Sequence, residues 1–166
     1  MKIHVPFKNH IIPDAYAKKA SETNKGYAVK SFPFEIVDIP ENAKTLAWTL
    51  VDYDSIPVCG FAYIHWTVAN VPTDVTVISE DFARQDQKHL KGKNSLVSKF
   101  LTTDYSDMYD GYLGPYPPDK DHHYTLTVYA LDDDLSLDVG FYLNELLHAI
   151  EGHVIAQAQM DLVSRA

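Results

Sequence analysis

The amino-acid sequence predicts a mainly β fold, a β-sandwich with a few peripheral helices. Apolar runs of strand length recur at 45–51 (TLAWTLV), 61–71 (FAYIHWTVANV) and in the second half of 111–131 (GYLGPYPPDKDHHYTLTVYAL). Prolines and glycines punctuate the segments between them, and helical spacing is confined to 141–151 and a short turn at 15–20. At 166 residues the chain is read as one domain, 1–166, long enough to bury a substantial core.

Residues 1–30 read as irregular, with Pro6 and Pro13 as punctuation and polar turn chemistry up to Gly26. Residues 31–40, SFPFEIVDIP, carry apolar side chains between prolines; a proline has no N–H for an interior ladder, so this is a short or edge strand. The continuous apolar run 45–51 marks a strand buried on both faces. The run 61–71 is the second long strand, closed by Pro72, with His65 sharing a face with Tyr63 and Thr67. Residues 74–78, DVTVI, make a short β-branched strand. Periodicity then disappears from 79 to 116, and a structureless connection of that length is read as a binding loop.

Within 111–131, Pro115, Pro117 and Pro118 exclude helix and interior strand. The chain then alternates, with His122, Tyr124, Leu126 and Val128 on one face and His123, Thr125, Thr127 and Tyr129 on the other. A stiff loop therefore delivers His122 and Tyr124 side by side. After an acidic turn, 141–151 reads as a helix with Gly152 as its C-cap, and 153–163 shows an alternation that suits a continued helix about as well as a final strand, of which the strand is preferred.

The formal net charge of −9 argues against nucleic acid and anionic membrane surfaces as partners, since both draw on clustered Lys and Arg. The single cysteine, Cys59, leaves no internal disulfide and reads as a small core residue. No apolar run nears the roughly 20 residues of a bilayer-spanning helix. Residues 1–14 also lack a signal-peptide core, so the cytoplasm is the expected compartment, without integral membrane association.

Asp52, Asp54, His65, His122 and Tyr124 come from segment ends or strand interiors that can converge. Imidazole, phenol and the N–H groups of a Gly-Pro loop donate to phosphate or carboxylate oxygens, and an aspartate fixes a histidine tautomer. The two aspartates project together only if the extended backbone persists through Tyr53. Taken singly, Asp52 and Asp54 also read as an Asx-turn ending a strand, and His65 as a satisfied core histidine. Zinc-binding H-E-x-x-H, cysteine clusters, a G-x-S-x-G elbow and phosphate-loop motifs are all absent from the sequence. No metal or cofactor is expected. The tyrosines of the 105–116 region stack on a ligand or cover the core rim.

In this order, D-x-D-x-x-P at 52–57, H-W at 65–66, G-P-x-P-P at 114–118 and H-x-Y at 122–124 resemble the phosphatidylethanolamine-binding proteins, in particular their bacterial branch, the Raf kinase inhibitor-like proteins. VYAL at 128–131 and EGHVIAQAQ at 151–159 extend the similarity, which covers most of the chain from Ser31 onward. The resemblance implies a phosphatidylethanolamine-binding-protein-like β-sandwich. Near one end it would hold a small anion pocket for phosphate or phosphorylated, phospholipid head-group-like ligands. It implies that Asp52, Asp54, His65, Gly114, Pro115, His122 and Tyr124 line the pocket and that Tyr112 and Pro118 border its mouth. No cofactor and no settled catalytic activity come with it. The chain departs from the family pattern at Tyr53, which stands in place of a proline, and at Ser55-Ile56, which lengthen the approach to Pro57. His123 replaces the arginine of H-R-Y and faces away from the pocket by strand parity. Tyr116 stands where the bacterial branch often has cysteine, narrowing the entrance.

The expected function is a soluble binding or regulatory module, not an enzyme, for a small anionic or phosphorylated ligand, with His122 and loop N–H groups as the main donors. A kinase or protease is the candidate protein partner, and a homodimer the candidate assembly. The alternative is a hydrolase of a small ester or phosphoester, with Asp52 or His65 as base.

Overall fold

The computed structural model describes residues 1–86 and 88–166. In chain order its elements are β1 (Lys2–His4), β2 (Thr23–Asn24), β3 (Tyr27–Ala28), β4 (Phe34–Val37), β5 (Thr45–Asp52), the short helix α1 (Ile56–Cys59), β6 (Tyr63–Pro72) and β7 (Val77–Ile78). They continue with α2 (Phe82–Gln85), β8 (Leu90–Lys91), β9 (His122–Leu131), α3 (Leu143–Ala149) and β10 (Val154–Ser164). Strands β10, β9, β5, β6 and β8 form one sheet in that order, β1, β4 and β7 a second, and β2 and β3 a small hairpin. The pairings are antiparallel.

The sandwich follows from alternation on two facing sheets. Ile3, Phe34, Ile36 and Ile78 of the smaller sheet pack in one buried cluster with Leu46, Trp48, Leu50, Trp66, Leu126 and Val128 of the larger one. Each such side chain taken from water contributes about 1.5 to 3 kcal/mol. Trp48 and Trp66 meet edge to face at 5.4 Å. On the outer face of the larger sheet, Ala47, Ala69 and Leu131 are covered by Phe141, Leu146 and Ile150. Strand β5 is thus covered on both sides, and all of its residues are buried, as its unbroken apolar run predicts.

Several elements differ from the sequence reading. Only the centre of 31–40 forms a strand, β4, between Pro33 and Pro40. The helix within 141–151 is shorter, because Tyr142 is its extended N-cap, whose N–H donates to Glu145 Oε2 at 2.6 Å, while Phe141 turns into the core. Gly152 follows it at φ 81°, a left-handed conformation that glycine adopts without steric cost. Segment 79–116 is not structureless: it holds α2, β8 and two 3-10 turns, one capped by the Asn94 side chain accepting from Leu96 N–H. Helix α1 has no periodic signal; Pro57 sits in its first turn, where the missing N–H is not needed, and Gly60 closes it at φ 90°.

A bulge in β6 matters most for the site. Leu50 pairs with Trp66 and Val51 with Ile64, so His65 is an extra residue on its strand. A bulge re-aims the side chains beside it. Here His65 and Tyr63 line the same cavity, whereas Thr67 does not share their face. Its hydroxyl donates to Lys93 O at 3.4 Å, in the layer of Phe141, where a Cβ on Gly92 would lie 2.2 Å from Thr67 Oγ1 and 2.6 Å from the Phe141 ring.

Candidate functional site

The cavity lies at one end of the sandwich interior, where three strands stop. Asp52, the last residue of β5, stands opposite Tyr124 of β9 and Tyr63 of β6. His122 opens β9 two residues before Tyr124, and the bulge supplies His65. These side chains line a cleft of 140 Å³ together with Tyr27, Tyr116, Pro118 and the α1 residues Val58 and Cys59. That is well under the roughly 300–1,000 Å³ of a drug-sized site and suits a small ion or head group.

Asp52 has both oxygens engaged. Oδ1 accepts the Ser55 N–H at 3.0 Å, forming the turn that ends β5, and Oδ2 lies 2.8 Å from His122 Nδ1. The Asx-turn and the histidine-orienting role are therefore carried by one side chain. Ser55 extends the network, its Oγ accepting from Tyr63 N–H at 3.0 Å. The other ring nitrogen of His122, Nε2, is 2.9 Å from Asp119 Oδ1. Only an imidazolium donates from both nitrogens, so this arrangement belongs to a protonated ring. Burial alone would lower the His122 pKa, but the hydrogen bonds and charges of Asp52 and Asp119 outweigh it and raise the value. The Asp119 carboxyl is held below its usual range by the same bond.

His65 is the opposite case. Its Nδ1 is 2.9 Å from Leu113 O, which makes Nδ1 the donor of a neutral ring and leaves Nε2 an acceptor. Desolvation pushes its pKa down to about 4, against the weaker influences of Leu113 O and Asp52. The ring meets Tyr124 edge-on at 5.0 Å. Tyr124 is fully buried, yet its hydroxyl has no hydrogen-bond partner among the described residues. Burial, then the charge and proximity of the Asp52 carboxylate, raise its pKa far above the ordinary tyrosine value, with the Tyr116 N–H acting weakly the other way. The cavity thus offers a free phenol donor, a neutral imidazole acceptor and an imidazolium.

Of the residues expected to form the site, Asp52, His65, His122, Tyr124 and Pro118 line one cavity. Asp54 does not join them. The strand ends at Asp52 and the backbone turns at Tyr53, so Asp54 swings out to accept from His123 N–H at 2.9 Å, with His123 Nδ1 at 3.2 Å. His123 is exposed on the far side of β9, as strand parity requires. Tyr112, Gly114 and Pro115 are structural rather than lining. The Tyr112 hydroxyl donates to Tyr16 O at 2.7 Å and its ring packs edge-on against Trp66 at 5.3 Å. Gly114 N–H donates to Ala28 O at 2.7 Å, and a Cβ there would lie 2.5 Å from Ala28 Cβ. Leu113 N–H is likewise taken, by His65 O at 2.8 Å. The N–H groups of Leu113 and Gly114 are therefore used by the fold and Pro115, Pro117 and Pro118 carry none, which leaves the Tyr116 N–H, beside the Tyr124 hydroxyl, as the loop's donor toward the cavity.

Cys59 is not a core residue: it is exposed, at the cavity wall. Of the loop tyrosines, Tyr116 faces the cavity and Tyr105 packs on Tyr27, itself a lining residue. The sequence reading missed Asp119, although its spacing of three from His122 across a turn was a usable signal. It also missed Tyr27, Ser55 and Val58, which carry no pattern of their own. Among the described residues no group of three His, Cys, Asp or Glu side chains is placed to hold a metal. No helix among them is long and apolar enough to cross a membrane.

A family model described as phosphatidylethanolamine-binding protein matches residues 3–165. The chain is 45% identical over 168 residues to the uncharacterized protein YxkA of Bacillus subtilis, covering 99% of each. It is 33% identical over 131 residues to a UPF0098 protein of Chlamydia pneumoniae, covering 77% of each. Among solved structures, a putative phosphatidylethanolamine-binding protein homolog, CT736 of Chlamydia trachomatis, superposes with a TM-score of 0.81 at 28% identity, covering 99% of this chain and 97% of that one. YbcL of E. coli, described as a new member of the mammalian family, shares the fold with a TM-score of 0.77 at 23% identity, covering 99% and 98%.

Proposed function

The chain belongs to the phosphatidylethanolamine-binding protein family, and from that premise we propose that it is a binding module whose cavity takes a small oxyanion, phosphate or a phosphorylated head group. The observation that carries this reading is the Tyr124 hydroxyl, a buried donor without a well-formed hydrogen bond among the described residues, in the cavity wall beside the His122 imidazolium. A buried polar group without a bond costs about 1–3 kcal/mol, which a ligand oxygen would offset. Neutral His65 Nε2 complements a protonated oxygen of the same ligand, as in hydrogen phosphate. Lys18, donating to Pro117 O at 2.9 Å and lying 5.2 Å from the Tyr116 ring centroid, adds positive charge at the loop.

Two or three charge-assisted bonds of about 1.5–3 kcal/mol each, less the cost of association, give micromolar to millimolar affinity for free phosphate. A protein partner such as a kinase or protease would supply the rest by covering the exposed Tyr53, Ile56, Val58 and Phe61 around α1. The hydrolase reading has less support. Both Asp52 oxygens are engaged, and a histidine with a pKa of about 4 is a poor base at neutral pH. The test is titration of the protein with inorganic phosphate while following the imidazole resonances. Saturable shifts at His65 and His122, lost in Tyr124→Phe, support the site; saturable binding that leaves both rings unmoved overturns it.

A further inference from the structure

We propose that Asp119 is a built-in competitor for the cavity's ligand, its carboxylate occupying the His122 nitrogen that an incoming oxyanion must take. The proposal rests on the anion-binding reading above. His122 has two N–H groups and the structure uses both, one on Asp52 Oδ2 at 2.8 Å and one on Asp119 Oδ1 at 2.9 Å. A ligand oxygen can bond this ring only by displacing one of the two carboxylates. They are not equivalent. The Asp52 side chain is 4% exposed and also holds the turn into α1 through Ser55, whereas the Asp119 side chain is 51% exposed and sits in a bend between Pro118 and Lys120.

Release of Asp119 from the ring therefore breaks one half-solvated side-chain hydrogen bond, and its carboxylate turns to water and to the neighbouring backbone N–H of Lys120. Release of Asp52 would undo the end of β5. A ligand that replaces Asp119 must itself carry negative charge, or a buried imidazolium is left half neutralised. Asp119 thus makes the site respond to charge as well as shape: water and neutral hydrogen-bond acceptors do not open it. Observed affinity is the intrinsic affinity reduced by the fraction of molecules in which Asp119 has let go.

The experiment measures inorganic phosphate affinity by calorimetry at constant pH and ionic strength in wild type, Asp119→Ala and Asp121→Asn. Asp121 carries the same charge in the same loop but bonds Ala166 N–H, not His122, and so controls for a mere change of local charge. The expected result is phosphate binding tightened by about tenfold in Asp119→Ala, the factor by which the competent fraction rises, with Asp121→Asn close to wild type. Equal tightening in both variants, or unchanged or weaker binding in Asp119→Ala while wild type still binds, overturns the competitor and leaves the anion site standing. Absence of binding in wild type and Asp119→Ala alike overturns the anion site and the competitor with it. Circular dichroism establishes that each variant is folded.

Discussion

Asp52 and Tyr124 face each other directly across β5 and β9, and the Tyr124 hydroxyl, although beside the Asp52 carboxylate that Ser55 and His122 share, has no well-formed hydrogen bond among the described residues. Stability and binding should therefore respond in opposite directions to one substitution. Tyr124→Phe removes an unsatisfied buried hydroxyl, so urea unfolding is expected to show stability unchanged or raised by about 1 kcal/mol. Phosphate affinity, measured on the same sample, is expected to fall at least about tenfold, the loss of one good hydrogen bond.

Asp52 is the opposite case. Removing it in Asp52→Ala strands the Ser55 N–H and leaves the His122 imidazolium with only an exposed partner. The expected loss is about 3 kcal/mol, the scale for breaking a buried ion pair, read as a lower urea midpoint.

The two histidines give stability a maximum near neutral pH. The folded His65 pKa is depressed to about 4 from 6.5, so the unfolded chain binds the extra proton first. Stability is full above pH 6.5 and falls by about 3 kcal/mol as pH drops through 4. His122 is raised, so its contribution is full below 6.5 and is lost as pH climbs through its higher folded value. Urea midpoints across pH are expected to trace a dome, and His65→Gln to flatten its acid limb alone.

Gly114 should be as intolerant as a core position. A Cβ there would stand 2.9 Å from the backbone oxygens of both Ala28 and Tyr16, neither able to rotate away. Gly114→Ala is expected to cost about 1–3 kcal/mol and to loosen the loop that carries Tyr116, seen as faster amide exchange at 113–116.

The long strands were legible because their patterns are long: β5 as an unbroken apolar run, and β9 as an alternation that also placed His122 and Tyr124 together and His123 opposite them. Short elements such as α1 and β8 were not, since two to four residues carry no period and form only where tertiary contacts hold them. At the site, Asp52, His65, His122 and Tyr124 were readable as residue types whose chemistry belongs together. Asp54 lies outside the cavity because the strand ends in the Asx-turn alternative at Asp52, with Ser55 closing back onto it, and spacing alone does not choose between that turn and a backbone that stays extended through Tyr53. Gly114 is expected in the pocket lining, but its task is to seat the loop against Ala28.

The extra residue at His65 has a wider consequence. Because the imidazole reaches the cavity through an insertion and not through strand alternation, the scaffold and its receptor are encoded separately within one strand. Excising that residue would restore an unbroken ladder beside Leu50 and Val51 and keep the hydrophobic layers, while erasing the neutral acceptor. The other walls of the cavity, Asp52, His122 and Tyr124 among them, do not depend on that insertion.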